Sequence, residues 1–290
     1  KQHLQDAAEL NEQGDLRAAF FKAQTAHMMK PDDMEILREM ALLARDLNHP
    51  NTLRWWEEVI DAGDASDEDI LSYVEYGLDL REPARVQPYL YQYLRAHPQS
   101  QPARALEVRL LRQQRRDVDA YRRARQLVDE GYRETDFLAT YTVLAFSLPD
   151  PEYRQEAVGF LQELSRGDGT EALLALRTLA RLGRELDQGE RQRILNGLKN
   201  HPEIEPLDHL LVASLELADE NADREKIEAD TVERLADPSD PDRMQALTSW
   251  LNRLGSSERV LSFYEEDAMP EDPGVFLNYL VALLETGRAE

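Results

Sequence analysis

Two series of chain-breaking positions run through this sequence on one shared period of about 34 residues. The first series falls at or near Gly14, Asn48, Arg81, Arg115, Pro149, Gly183, Asp219, Gly255 and Gly287. Its two ends are the plainest. Ala8-Glu9-Leu10-Asn11-Glu12-Gln13-Gly14 and Ala282-Leu283-Leu284-Glu285-Thr286-Gly287 are each an amphipathic stretch halted by glycine. Gly accepts a positive φ without steric penalty, and Asn is the next best residue there. The second series lies half a period out of phase. Pro31, Pro98, Pro202, Pro238 and Pro270 mark it, and Gly63, Gly131 and Gly167-Asp168-Gly169 fill its other slots. One period punctuated twice demands two short elements per repeat.

Between the marks, apolar residues recur at helical spacing. Ile36, Leu37, Met40, Ala41, Ala44 and Leu47 form one stripe, and Phe137, Leu138, Tyr141, Leu144, Ala145 and Leu148 form another. Asp150-Pro151, Asp240-Pro241 and Asp272-Pro273 put a capping carboxylate before a proline at the first helical position. With only 13 Gly and 14 Pro in 290 residues, the chain lacks the turns of a β-sandwich or barrel. The expected fold is therefore all-α: a solenoid of about eight antiparallel helix pairs plus a final unpaired helix. A single domain over residues 1–290 is expected, with repeats ending near 31, 65, 98, 133, 167, 202, 238 and 270. One pair cannot bury its apolar faces alone, so stability must come from stacking.

This unit resembles the tetratricopeptide repeat (TPR). Ala7, Ala19, Ala26 and Pro31 match the family's small-residue and terminal-proline positions in the first unit. Asn278, Leu280, Ala282, Leu283 and Gly287 resemble its first helix in the last. The middle units depart from the family's full Trp-Leu-Gly-Tyr pattern. The resemblance implies a right-handed superhelix whose concave groove is lined by the first helix of each pair. Projected onto this chain, the groove positions are Arg38 and Arg45, Glu75, Arg109 and Arg112, then Val143 and Phe146. Arg38, Arg45, Arg109 and Arg112 are the expected partner-binding residues, placed to clamp an anionic segment.

The net charge is −23, which disfavours nucleic acid and anionic lipid as partners. Only five of the 34 basic residues are Lys, a bias that, with the acidity, suggests a GC-rich genome and a salt-tolerant source. Residues 101–125 run against the acidic background, with eight Arg and three acids. Two readings of that run stay open: a solvated face whose arginines pair with acids of neighbouring repeats, or a site for a carboxylate or acidic peptide.

The chain has no Cys, so disulfides, thiolate metal sites and Cys nucleophiles are excluded. Phosphate-loop, dinucleotide, serine-hydrolase and His-Glu-x-x-His signatures are absent, and neither enzyme activity nor a cofactor or metal is expected. His49, His97 and His201 each precede a proline and read as polar residues at helix C-termini rather than as ligands. The acidic turns at Gly167-Asp168-Gly169 and Asp237–Asp242 lack the ligand alternation of a calcium loop and read as caps. Trp55, Trp56, Trp250, Tyr89, Tyr91 and Tyr93 read as core, with one of the adjacent Trp55 and Trp56 partly exposed.

No apolar run is long enough to span a membrane. The chain opens without Met and closes within a motif, and is read as a piece of a larger protein, periplasmic or cytoplasmic. The leading expectation is a protein–protein interaction scaffold binding a partner protein or peptide through its groove. One alternative is a periplasmic scaffold of a bacterial envelope or exopolysaccharide-export system that recruits enzymes or guides polymer. Another is the substrate-recruiting arm of a fused enzyme.

Overall fold

The computed structural model describes residues 2–183, 186–264 and 269–288. The last two residues, where the sequence places the start of a further helix, lie outside them. Among the described residues there are 17 helices and no strand. The first four pairs are α1 (Gln2–Glu12) with α2 (Leu16–Met29), α3 (Met34–Asp46) with α4 (Thr52–Asp61), α5 (Asp67–Asp79) with α6 (Pro83–Ala96), and α7 (Gln101–Gln113) with α8 (Asp117–Asp129). Then come α9 (Thr135–Ser147), α10 (Pro151–Leu164), α11 (Thr170–Arg181), α12 (Gln188–Asn200), α13 (Asp208–Glu216) and α14 (Arg224–Leu235). The short α16 (Ser257–Leu261) follows α15 (Pro241–Arg253), and α17 (Pro273–Thr286) closes the described chain.

Tertiary contacts cluster into two compact units. Unit 1 comprises Lys1–Arg133 and Thr140–Pro149; unit 2 comprises Glu134–Ala139 and Asp150–Glu290. Residues of a helix-pair array touch only neighbouring repeats, so contacts are local along the chain.

The turns explain the first punctuation series. Gly14, Asn48, Arg81, Arg115, Gly255 and Gly287 all adopt a left-handed φ, between 52° and 81°. In each, the next amide donates to the carbonyl five residues back: Asp15 to Leu10, His49 to Ala44, Glu82 to Gly77, Arg116 to Leu111, Ser256 to Leu251 and Arg288 to Leu283. This closure satisfies carbonyls that the helix end would otherwise leave open. Near Pro149, Gly183 and Asp219 no described residue is left-handed. Proline's ring fixes φ near −65°, and the turn after α13 is drawn out to Asp223, the cap of α14. The Asp-Pro signals hold: Asp150, Asp240 and Asp272 cap α10, α15 and α17 with their carboxylates.

Two pairs close around a glycine. A Cβ on Gly77 of α5 would collide with Val86 of α6, so this glycine sets how closely the two helices approach. In unit 2, a Cβ on Gly197 of α12 would likewise stand 2.8 Å from Leu176 of α11. First helices also pack on first helices: α5 on α7, α11 on α13 and α15 on α17. The core of unit 1 fills these seams with Leu37, Met40, Trp56, Tyr73 and Leu90.

Trp55 and Trp56 are both buried, which corrects the expectation that one is partly exposed. Both lie in the core of unit 1, where Trp55 stacks on His49 at 4.9 Å and meets Phe20 of α2 at 5.9 Å. A second helix flanked by neighbours on two sides buries more than one stripe. Trp250 is also buried, its indole N–H donating to Ser214 at 3.0 Å. Tyr93 is buried, whereas Tyr89 and Tyr91 are half-buried. No helix among the described residues is long and apolar enough to cross a membrane.

Candidate partner-binding surface

The four arginines projected onto the groove all lie on first helices of unit 1, Arg38 and Arg45 on α3, Arg109 and Arg112 on α7. Their guanidinium groups are not equally available. Arg38 donates through Nε to Oδ2 of Asp69 at 2.9 Å and through its terminal nitrogen to the Asp64 carbonyl. Asp69 belongs to a capping box at the start of α5: its amide is held by the Ser66 hydroxyl, and its carboxylate accepts the Ser66 amide at 2.8 Å. Arg45 pairs with its neighbour Asp46 at 3.0 Å. Arg109 bridges back to α5, reaching Glu75 at 3.4 Å and Asp79 at 2.5 Å. Arg112 is exposed and makes no ion pair among the described residues. Beside it, Gln113 donates to the Leu78 carbonyl at 2.6 Å, a second tie between α7 and α5. The remaining projected positions follow the same pattern of exposure. Glu75 and Val143 are exposed and Phe146 is half-buried.

The rest of the 101–125 run turns elsewhere. Arg104 is buried on α7 and makes a two-pronged bond with Glu130 after α8. Arg104 therefore holds the Glu130 carboxyl below its ordinary range. Arg123 faces the buried Glu107 at 3.5 Å, Arg116 pairs with Asp119 at 2.8 Å, and Arg125 with Asp129 at 3.6 Å. Arg115 occupies a left-handed turn and is exposed. Most of the run thus engages acids within or next to its own pair, while Arg112 and Arg115 stay open to solvent.

A polar network missed by sequence reading lies between α4, α5 and α6. Glu57 accepts from Arg85 through both oxygens and from the Tyr73 hydroxyl at 2.8 Å. The Arg85 hydrogen bonds hold the Glu57 carboxyl below its ordinary range against the opposing effect of burial, and burial with Glu57 pushes the Tyr73 phenol up. The residue spacings 57, 73 and 85 carry no motif; only the packing of three helices joins them. In unit 2, Glu228 is buried among Arg224, Arg259 and Ser256.

The histidines occupy helix ends. His97 and His201 are the C-terminal caps of α6 and α12, and His49 lies in the turn before α4. Gly169 caps α11, and Asp237 accepts from Ser239 and pairs with Arg243, so both acidic turns serve helix starts. Among the described residues no group of three or more His, Cys, Asp or Glu is placed to hold a metal ion.

No protein-family profile matches the chain, and no curated protein matches it. Among solved structures it is similar to the crystal structure of the P58(IPK) TPR domain. That likeness covers 100% of this chain and 98% of the other, at 11% identity and a TM-score of 0.31. The fold assignment stands on the helices themselves: an all-α chain of consecutive TPR-like helix pairs, repeating at about 34 residues.

Proposed function

We propose that the chain is a protein–protein interaction scaffold without catalysis of its own, holding a partner protein or peptide along the first helices α3, α5 and α7. The observation that supports this most is the lacing of those helices to one another. Arg38 ties α3 to the start of α5, and Arg109 and Gln113 tie α7 back to its end. A surface fixed before binding loses less entropy on association. In this reading Arg38, Arg45 and Arg109 frame the surface, and Arg112 is the guanidinium that meets a carboxylate of the partner.

A photo-crosslinking amino acid at exposed position 75 on α5 and another at exposed position 54 on α4 separate the faces. The expected result is capture of a defined partner from position 75 and not from 54, and affinity for that partner reduced about tenfold by Arg112→Glu in a titration. Capture from position 54 alone, or an affinity unchanged by Arg112→Glu, overturns the proposal. Turnover of any substrate by the isolated chain overturns the non-catalytic part of it.

A further inference from the structure

The second helices of unit 1 carry a cleft on which the sequence projection placed nothing. Along α6, Tyr91, Leu94 and Arg95 follow one another at helical spacing, and the facing side of α8 carries Asp119, Arg122, Arg123 and Gln126 at the same spacing. Between them, Arg104, Glu107 and Leu111 of α7 form the floor. The result is two adjoining open cavities of about 320 and 550 Å³, sharing Tyr91, Glu107 and Arg123.

The walls are basic. Five arginines line the two cavities (95, 104, 116, 122 and 123), against the two carboxylates Glu107 and Asp119. Arg104 is already neutralised by Glu130. The other four are exposed, and Arg116 commits its Nε and one terminal nitrogen to Asp119 at 3.0 and 2.8 Å. Arg95, among the described residues, donates to the Tyr91 carbonyl alone, at 3.2 Å. Arg122 is 69% exposed and stands 4.0 Å from Asp119, whose other oxygen is held by Arg116. Arg123 is half-exposed over the buried Glu107. Burial, and then Glu107, push the Tyr91 phenol up, against smaller opposing effects of Arg116 and Arg123.

We infer that this α6–α8 cleft binds a short acidic peptide segment of a partner protein, two or three of its carboxylates meeting Arg95, Arg116 and Arg122 while an apolar side chain lies against Tyr91 and Leu94. Charge selects the occupant. A basic cleft in a chain of net charge −23 attracts anions only at short range. At physiological salt the Debye length is about 8 Å, so a short segment feels the local arginines and little of the acidic remainder. A nucleic acid or an anionic bilayer extends its charge well past the cleft and meets that remainder. Planar guanidinium groups also suit carboxylates, which they can bind through two parallel hydrogen bonds. This surface belongs to second helices and is independent of the reading given to Arg112.

The test uses the 290-residue chain and a fluorescein-labelled hexaglutamate peptide followed by anisotropy. Binding that weakens steadily with added salt and falls at least tenfold in Arg95→Glu/Arg122→Glu is the expected result. Both side chains are exposed, and circular dichroism checks that the variant keeps its helices. Arg54→Glu, on α4 and outside both surfaces, should leave hexaglutamate affinity unchanged; a loss in Arg112→Glu as large as in the double variant places the peptide on the first helices and overturns the inference. So does failure of hexaglutamate to bind at low salt, or tighter binding of a dT12 oligonucleotide or of phosphatidylglycerol vesicles than of the peptide.

Discussion

Arg38 and Asp69 share one carboxylate oxygen with a helix start: Oδ2 of Asp69 accepts Arg38 Nε at 2.9 Å and the Ser66 amide at 2.8 Å. Unit 2 repeats the device. Arg177 grips both oxygens of Asp208 at 2.6 and 2.9 Å, and Oδ2 of Asp208 accepts the Glu205 amide at 2.8 Å. Both aspartates are buried, and both arginines come from the preceding first helix. A single carboxylate thus starts one repeat and fastens it to the one before. Asp69→Asn is expected to destabilise the start of α5 by about 2 kcal/mol, the range for a hydrogen-bonded charge. The double-mutant cycle with Arg38→Gln should give a coupling of about 1 kcal/mol. Hydrogen exchange of the α5 amides across a urea series measures both, and strictly additive effects would show that the clasp does not join the repeats.

Gly77 offers a case where local propensity and packing oppose each other. Alanine favours a helix over glycine by about 1 kcal/mol, and Gly77 lies inside α5. Its Cβ position, however, is occupied by Val86. Gly77→Ala should destabilise the α5–α6 pair by about 1–3 kcal/mol, as overpacking does. Val86→Ala in the same background should recover part of the loss in a thermal melt; no recovery would mean the glycine has another role.

Arg81 and Arg115 hold left-handed backbone with φ of 59° and 61°. For a residue with a Cβ this costs about 1–2 kcal/mol, partly offset by the greater unfolded-state freedom of glycine. Arg81→Gly is expected to stabilise unit 1 by about 0.5 kcal/mol. A urea midpoint that moves down instead would show that the Arg81 side chain contributes something its exposed position does not suggest.

Glu57 gives unit 1 a dependence on acid. Arg85 lowers its pKa in the folded state. The stabilisation is therefore fully present above the unfolded value, near pH 4.3 for a glutamate, and is lost as pH falls through the lower folded value. Urea midpoints collected from pH 6 down to 3 should fall more steeply in the native chain than in Glu57→Gln. Parallel profiles would mean that Arg85 does not hold the charged form.

The legible part of this protein was what adjacent residues decide among themselves. Gly14, Asn48, Arg81 and Arg115 could be picked out by spacing because a helix stop is set within one turn of chain. Trp55 was harder. Its burial depends on Phe20 and on the turn residue His49, and one helix's own periodicity cannot register a neighbour on its second side.

The sequence by itself determined the helices, their breaks, their period and the all-α class, because caps, stops and apolar stripes act over a few residues. Only the tertiary structure decided which charges are free. Arg38, Arg109 and Arg112 look alike in sequence, yet the first two are bound to Asp69 and to Glu75 and Asp79, and the third faces solvent. Those pairings cross from one repeat to the next, and a slip of one residue would turn each side chain by about 100°. The same holds for the α6–α8 cleft. Its arginines come from the basic run on α7 and α8 and from Arg95 on α6, and the stacking of pairs brings them to a common wall.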